Sequence, residues 1–89
     1  MRVGLITEEY NPEGGGAERW TAQFHDHLRR AGHEVHVIAF TARARDGVAH
    51  LHRLDDPGTL LGRVEAVAAA VARLPPMVLH DSGTGWSAH

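Results

Sequence analysis

The chain has 89 residues, a mass of 9.7 kDa and no cysteine. This length suits one small domain and is too short to fold into a two-domain enzyme around its own cleft; without cysteine there is no disulfide framework, thiolate zinc site, iron–sulfur cluster or cysteine nucleophile. Nine basic against eleven acidic residues give a net charge of −2 with neutral histidine, which provides no basic surface for nucleic acid or anionic lipid.

Signals for membrane insertion and export are also missing from the sequence. The longest uninterrupted apolar run, residues 66–72, is far shorter than the roughly 20 residues that a membrane span needs. The apolar run near the amino terminus soon meets Glu8 and Glu9 and is too short and too acidic for a secretory signal. We therefore expect a cytoplasmic protein without an integral membrane segment.

The first predicted unit is a strand, a loop and a helix. Residues 3–7 form an apolar run without polar alternation, which is typical of a strand buried on both faces. Residues 8–16 contain Asn-Pro and three consecutive glycines and predict a loop. From there apolar side chains recur every three or four positions, which predicts a helix over 17–31 with Gly32 as its carboxyl cap.

The second predicted unit begins with a strand at residues 34–40, which are rich in β-branched and aromatic side chains. A right-handed crossover makes this strand parallel to the first. The alternating residues 47–54 predict a third strand. Asp56 is a good N-cap, and with Pro57 at the first helical position it predicts a second helix over 57–73.

The last predicted elements are a fourth strand, again buried, at residues 77–80 and a loop over 81–89. The order of elements predicts an α/β fold: a partial Rossmann-like parallel sheet of about four strands with two main helices. Two crossover helices leave part of such a sheet uncovered. We therefore expect residues 1–89 to form the first, incomplete part of a larger domain.

The glycine loop is the strongest candidate for binding chemistry. Gly14, Gly15 and Gly16 follow the first strand and open the first helix, where backbone N–H groups and the helix dipole favour an anion such as phosphate. Ala17-Glu18 replaces the Lys-Ser/Thr of a Walker A loop, and Arg19 replaces the last small residue of the dinucleotide fingerprint. The alternative is that the glycines only make a flexible turn.

Polar and aromatic side chains near the end of the chain could join this loop. His80 and Asp81 end the fourth strand, at the sheet edge where ligands bind in open α/β folds. His80 could orient a hydroxyl or act as a base, or it could be a structural residue. Trp86 could line a sugar or acceptor site, or pack against further chain. Trp20 and Phe24, four apart, are expected to anchor the first helix in the core.

Eight histidines raise the question of a metal site. His25 and His27 are two apart on a helix and face different directions, whereas helical ligands need a spacing of three or four. His50 and His52 could share one face of a strand, but the sequence places no third ligand near them. We expect solvated or packed histidines and no metal site.

The segment GGGAER, followed about a dozen residues later by LRRAGHEVHV, resembles the start of a family 4 glycosyltransferase. The opening MRVGLIT, the Asn11-Pro12 loop and the later VLHDSGTGW add to the resemblance, which extends over essentially the whole chain. It implies the two-domain glycosyltransferase-B architecture, with this chain as the beginning of the amino-terminal, acceptor-side domain.

The resemblance also implies the site. Gly15 and Gly16 match the loop whose backbone approaches the donor diphosphate and the acceptor, and His80 matches a histidine at a strand end facing the cleft. The partners implied are a nucleotide-sugar donor and a glycan, lipid or small-molecule acceptor, with retention at the anomeric carbon and no required metal or cofactor. The donor-binding Glu pair of the family's second domain has no counterpart in these residues.

Two functional hypotheses follow. In the first, the chain is an amino-terminal portion of a hexosyltransferase and is inactive by itself. In the second, it is a stand-alone α/β binding or interaction module that pairs its open sheet edge with a partner.

Overall fold

A computed structural model describes residues 1–42 and 50–81. These residues form four strands and two helices in the order β1 (Arg2–Tyr10), α1 (Gly16–Arg30), β2 (Glu34–Ala42), β3 (Leu51–Arg53), α2 (Leu60–Ala72) and β4 (Val78–Asp81). The strands lie in one sheet in the order β3-β2-β1-β4, and every neighbouring pair is parallel. The predicted α/β, Rossmann-like arrangement is confirmed.

The two helices cover opposite faces of the sheet. Leu5, Val35 and their neighbours pack against Phe24 and Leu28 of α1, while Ile6 and Ile38 pack against Val67 of α2. The faces are separated because side chains of one strand alternate between the two sides. This alternation explains why β1 and β2, with helices on both sides, are apolar throughout their centres.

The end of α1 confirms the expected glycine cap. Gly32 has a φ of 92°, in the left-handed region that favours glycine. Its N–H donates to the carbonyl of Arg29 at 3.0 Å, and the N–H of His33 donates to that of Leu28 at 3.1 Å. These two bonds form a Schellman motif, which ends the helix and turns the chain into β2.

The start of α2 differs from the prediction. The helix begins at Leu60, and its N-cap is Thr59, whose hydroxyl accepts a 3.1 Å hydrogen bond from the N–H of Gly62. Asp56 instead accepts from the N–H of Gly58 at 2.8 Å and closes a turn ahead of the helix. Two N-cap residues compete within four positions, and the one farther along the chain caps the helix.

The first and last strands also differ from the prediction. β1 continues to Tyr10, so Glu8 and Glu9 belong to the strand and not to a loop. β4 is exposed along its length, with Val78 at 56% and Leu79 at 44% exposure, whereas a buried strand was expected. β4 lies at one edge of the sheet formed by the described residues, so only β1 pairs with it there. Of the predicted third strand, residues 47–49 fall outside the described part of the chain.

None of the helices in residues 1–42 and 50–81 is long and apolar enough to cross a membrane.

Candidate functional site

The strand order changes direction at β1, and this position defines the candidate site. From β1 the chain passes through α1 to β2 on one side, and later through α2 to β4 on the other side. α1 packs on one face of the sheet, and α2, which leads from β3 to β4, packs on the other. The carboxyl ends of β1 and β4 are therefore the position at which an open sheet of this kind forms a ligand crevice. In open α/β sheets this crevice is the usual binding site for ligands.

The glycine loop follows the carboxyl end of β1, at this position of the sheet. Gly15 is the N-cap of α1 without a side-chain cap, and the N–H of Arg19 makes the first helical bond, to the carbonyl of Gly15 at 2.9 Å. The backbone N–H groups of residues 16–18 precede that bond and point out of the helix start. Such a helix start attracts anions through its N–H groups and its dipole.

The three glycines of the loop have different surroundings. A Cβ on Gly14 would lie 2.9 Å from the Cβ of Glu18, so Gly14 is required by close packing. A Cβ on Gly15 would lie 3.4 Å from Oε2 of Glu18, whereas one on Gly16 would meet no atom within 4 Å. Gly15 and Gly16 are both exposed. The open side of the loop is therefore at Gly16, and Glu18 places a negative charge beside Gly15.

Asn11 shapes the loop from its other end. Its carbonyl accepts from the N–H of Gly14 at 3.0 Å, and its side-chain oxygen accepts from the N–H of Glu13 at 3.1 Å. These bonds form a turn in which the side-chain amide replaces a backbone acceptor. The loop therefore starts with a hydrogen-bonded turn at Asn11.

His80 lies in an aromatic cluster with α1. Its ring centroid is 5.9 Å from that of Trp20 and 5.4 Å from that of Phe24, and the indole of Trp20 stacks on Phe24 at 5.0 Å. Trp20 is 50% exposed, so it is not the core anchor that its spacing suggested. Trp20 is four positions after Gly16 on α1, which places the cluster about one helical turn further along the helix than the loop. Phe24, half-buried against Val3 and Leu5, is the anchor of the pair.

Of the two remaining predicted site residues, the structure describes Asp81 and not Trp86. Asp81 ends β4 opposite Ile6, on the sheet face opposite to that of His80, and is exposed. Trp86 lies outside the described residues.

An ion-pair group on the α2 side of the sheet was not predicted from the sequence. Arg63 donates to Asp56 through Nε at 3.0 Å and through Nη2 at 2.7 Å, and its Nη1 lies 3.4 Å from Oε1 of Glu8. The guanidinium also lies 5.6 Å from the ring centroid of Phe40. The hydrogen bonds from Arg63 and the bond from Gly58 lower the pKa of Asp56 to about 2. This group ties the end of β1 to the start of α2.

His25 is the most buried histidine among the described residues. Its Nδ1 lies 3.1 Å from Oδ1 of Asp26, its ring meets that of Tyr10 edge to face at 5.8 Å, and its Nε2 is buried without a hydrogen-bond partner. Burial is also the main reason why the pKa of Tyr10 is raised. This pair packs α1 on the sheet and serves the fold.

Comparison with known proteins adds one relative. The chain is 34% identical over 86 residues to a GDP-mannose-dependent alpha-mannosyltransferase of Mycolicibacterium smegmatis, in an alignment covering 88% of this chain. The chain spans 22% of that protein's length. No family model and no solved structure matches the chain. The similarity supports a relationship with glycosyltransferases.

Proposed function

We propose that the chain is the amino-terminal, acceptor-side part of a family 4 glycosyltransferase with the glycosyltransferase-B architecture. The observation that carries the proposal is the exposed glycine loop. It precedes α1 and follows β1, the strand at which the strand order changes direction. Sequence similarity to a mannosyltransferase supports sugar transfer, and because that relative is GDP-mannose-dependent, GDP-mannose is the first donor to test. The complete enzyme transfers a hexose from a nucleotide-sugar to a glycan, lipid or small-molecule acceptor.

In this proposal the start of α1 binds the donor diphosphate. The N–H groups of residues 16–18 and the helix dipole stabilise the negative charge that grows on the phosphate as the sugar departs. Glu18 would repel that charge at Gly15, so the phosphate approaches from the open side at Gly16. The chemistry assigned to these residues requires no metal or cofactor.

His80 and the aromatic side chains beside it are assigned to the sugar side of the cleft. The exposed ring of His80 can orient an acceptor hydroxyl or accept its proton. The half-exposed indole of Trp20 offers a flat apolar face beside it. Asp81 and Trp86 remain proposed cleft-lining residues.

The test is a titration of the isotopically labelled chain with GDP-mannose, followed by two-dimensional amide NMR. Because one half of a cleft supplies few of the contacts, we expect a dissociation constant of about a millimolar or weaker, with the largest shifts at Gly15 and Gly16. Gly16→Ala places a methyl group in the open space that the phosphate would occupy and should remove these shifts. Gln23→Ala, an exposed change in the middle of α1, is the matched control and should keep them.

Three results would count against the proposal. Shifts that leave the glycine loop unaffected would move the donor site elsewhere. Equal shifts in the Gly16→Ala variant and the wild type would show that the phosphate does not occupy the open space at Gly16. Micromolar binding would contradict the interpretation that most donor contacts lie in the rest of the enzyme.

The second candidate is a stand-alone interaction module, favoured by the exposed edge strand. Val78 and Leu79 of β4 and Trp20 of α1 are all exposed apolar side chains near that edge. An exposed, apolar edge strand is a surface on which another strand can pair. The size and order of the assemblies that this edge forms distinguish the two candidates.

A further inference from the structure

A second group of polar side chains lies at the opposite end of the sheet from the glycine loop. On the face covered by α2, the side chains of β2 run from Glu34 and His36 to Ile38 and Phe40, and α2 packs on the last two. The first two therefore lie beyond the helix, at the start of the strand. Two more histidines lie there, His50 just before β3 and His52 within it, because the register pairs Ile38 with His52.

The register brings together residues that are far apart in the chain. Val37 pairs with Leu51, which places His50 next to His36. The rings of these two histidines stack with centroids 4.3 Å apart and planes 25° apart. His50 has a φ of 58°, uncommon for a residue other than glycine, and its carbonyl accepts a 2.9 Å hydrogen bond from the N–H of Val37. Strained backbone of this kind concentrates at functional sites.

His36 is the centre of the group and is held from two sides. Its side chain is buried, with Nε2 at 2.9 Å from Oε2 of Glu34 and Nδ1 at 2.9 Å from Nε2 of His52. One nitrogen or oxygen atom from each of Glu34, His36 and His50 lies within 4.8 Å of those of the other two. We propose that Glu34, His36 and His50 bind a divalent transition-metal ion of the Zn²⁺ class.

The donor set suits this class of ion. Imidazole nitrogen and carboxylate oxygen are ordinary ligands of Zn²⁺ and Co²⁺, at about 2.0–2.2 Å from the metal. Glu34 and His50 are exposed and can close the remaining distance by rotating their side chains, while buried His36 stays in place. Three protein ligands leave a fourth position for water.

His52 acts as a positioning residue. When Nε2 of His36 binds the ion, the ring proton of His36 lies on Nδ1. This N–H then donates a hydrogen bond to Nε2 of His52. A histidine ligand whose second nitrogen donates to a neighbour is the usual arrangement in metal sites. Arg2, paired with Glu34 and donating to the carbonyl of Pro76 at 3.2 Å, holds the carboxylate beside β2. The carboxylate still offers its second oxygen.

This site is independent of the proposed sugar-transfer site. Glu34 pairs in register with Arg2, at the amino ends of both strands, whereas the glycine loop follows the carboxyl end of β1. An ion bound there would join the start of β2 to the segment that leads into β3, beside the short stretch in which three residues of each strand pair. Its expected consequence is a more stable attachment of β3.

The test is a titration of the dialysed chain with ZnCl₂ near neutral pH by calorimetry, with CoCl₂ followed by visible absorption. We expect one equivalent to bind with a dissociation constant of about a micromolar or tighter, and visible bands of imidazole-bound Co²⁺. His50→Ala and Glu34→Gln, both at exposed positions, should each weaken binding by at least about tenfold. His27→Ala, an exposed histidine on α1, is the matched control and should bind as the wild type does.

The ring ¹⁵N signals distinguish metal-binding histidines from histidines that are only packed in the fold, because Zn²⁺ would not shift the signals of the latter. The ring ¹⁵N signals of His36 and His50 should shift together on adding Zn²⁺, and His52→Asn should weaken binding while keeping the stoichiometry. The proposal is overturned if binding is weaker than about a millimolar, if His50→Ala binds as tightly as wild type, or if His27→Ala weakens binding equally. An amide spectrum of each variant shows that the fold is retained.

Discussion

At the scale of single residues, the ion pair between Asp56 and Arg63 predicts a dependence on pH. The folded chain lowers the pKa of Asp56 from 3.8 to about 2, chiefly through the hydrogen bonds from Arg63. Because the folded pKa lies below the unfolded value, the carboxylate adds stability above about pH 4, and this contribution is lost as the pH falls towards 2. The pair is exposed, so salt should reduce its effect.

The measurement is an NMR titration of the Asp56 carboxyl carbon. The midpoint should lie near 2 in the wild type and move back towards 3.8 in Arg63→Met, which keeps the aliphatic chain and removes the donor. A wild-type midpoint at 3.8 would show that the pair does not form in solution. Stability should also fall less between neutral and acid pH in Asp56→Asn than in the wild type.

Residue identity alone explains part of the candidate site. The glycine loop could be predicted because its chemistry is local: three adjacent glycines after a strand and before an amphipathic helix. The group of Glu34, His36 and His50 could not, because His50 comes from the turn that leads into the neighbouring strand β3 and its place depends on register. The spacing of His50 and His52 indicated that they could share one face of a strand. The histidine that joins them, His36, is sixteen residues from His52 in the sequence.

At the scale of elements, the end of α1 and the start of α2 are determined by different kinds of interaction. Gly32 predicts the end of α1 well, because few other residues accept its φ of 92°. The start of α2 was predicted three residues early, because Asp56 and Thr59 are both good N-caps and the sequence does not rank them. Helix starts depend on a choice between local hydrogen bonds, whereas this helix end depends on backbone sterics.

The cap of α1 gives a prediction about stability. Gly32→Ala forces a Cβ into the left-handed region and should lower the free energy of unfolding by about 1–2 kcal/mol. Gly16→Ala is the matched control, because it adds the same methyl group in open space at a position without positive φ and should leave stability unchanged or slightly higher. Chemical denaturation of both variants measures the difference. Equal stability would show that the cap does not constrain the helix end.

At the scale of the whole molecule, the open edge at β4 determines how the chain behaves in solution. All four of its residues are exposed, the first two, Val78 and Leu79, are apolar, and in the described residues it pairs only with β1. If the chain is part of a larger domain, the edge lacks its natural cover and should promote disordered association at high concentration. Sequence patterning predicted β4 as a buried strand because an apolar run does not reveal which neighbours are present.

Sedimentation velocity tests this expectation. The wild type should form a broad range of species as its concentration rises, and Val78→Lys should shift the distribution towards monomer by placing a charge on the edge. Leu61→Lys changes another exposed apolar residue, on α2, and should have a smaller effect. A single discrete oligomer with a cooperative thermal transition would instead support the interaction module.

The all-parallel sheet also affects the order in which the molecule assembles. β1, α1 and β2 are contiguous in sequence, and their pairing closes a short loop of chain. β4 is the last strand of the described chain and also pairs with β1. This pairing closes a longer loop than the pairing of β1 with β2, so its entropic cost is higher. We therefore expect β1, α1 and β2 to assemble first, and amide hydrogens of β4 should exchange with solvent from partly opened molecules in which that unit stays intact.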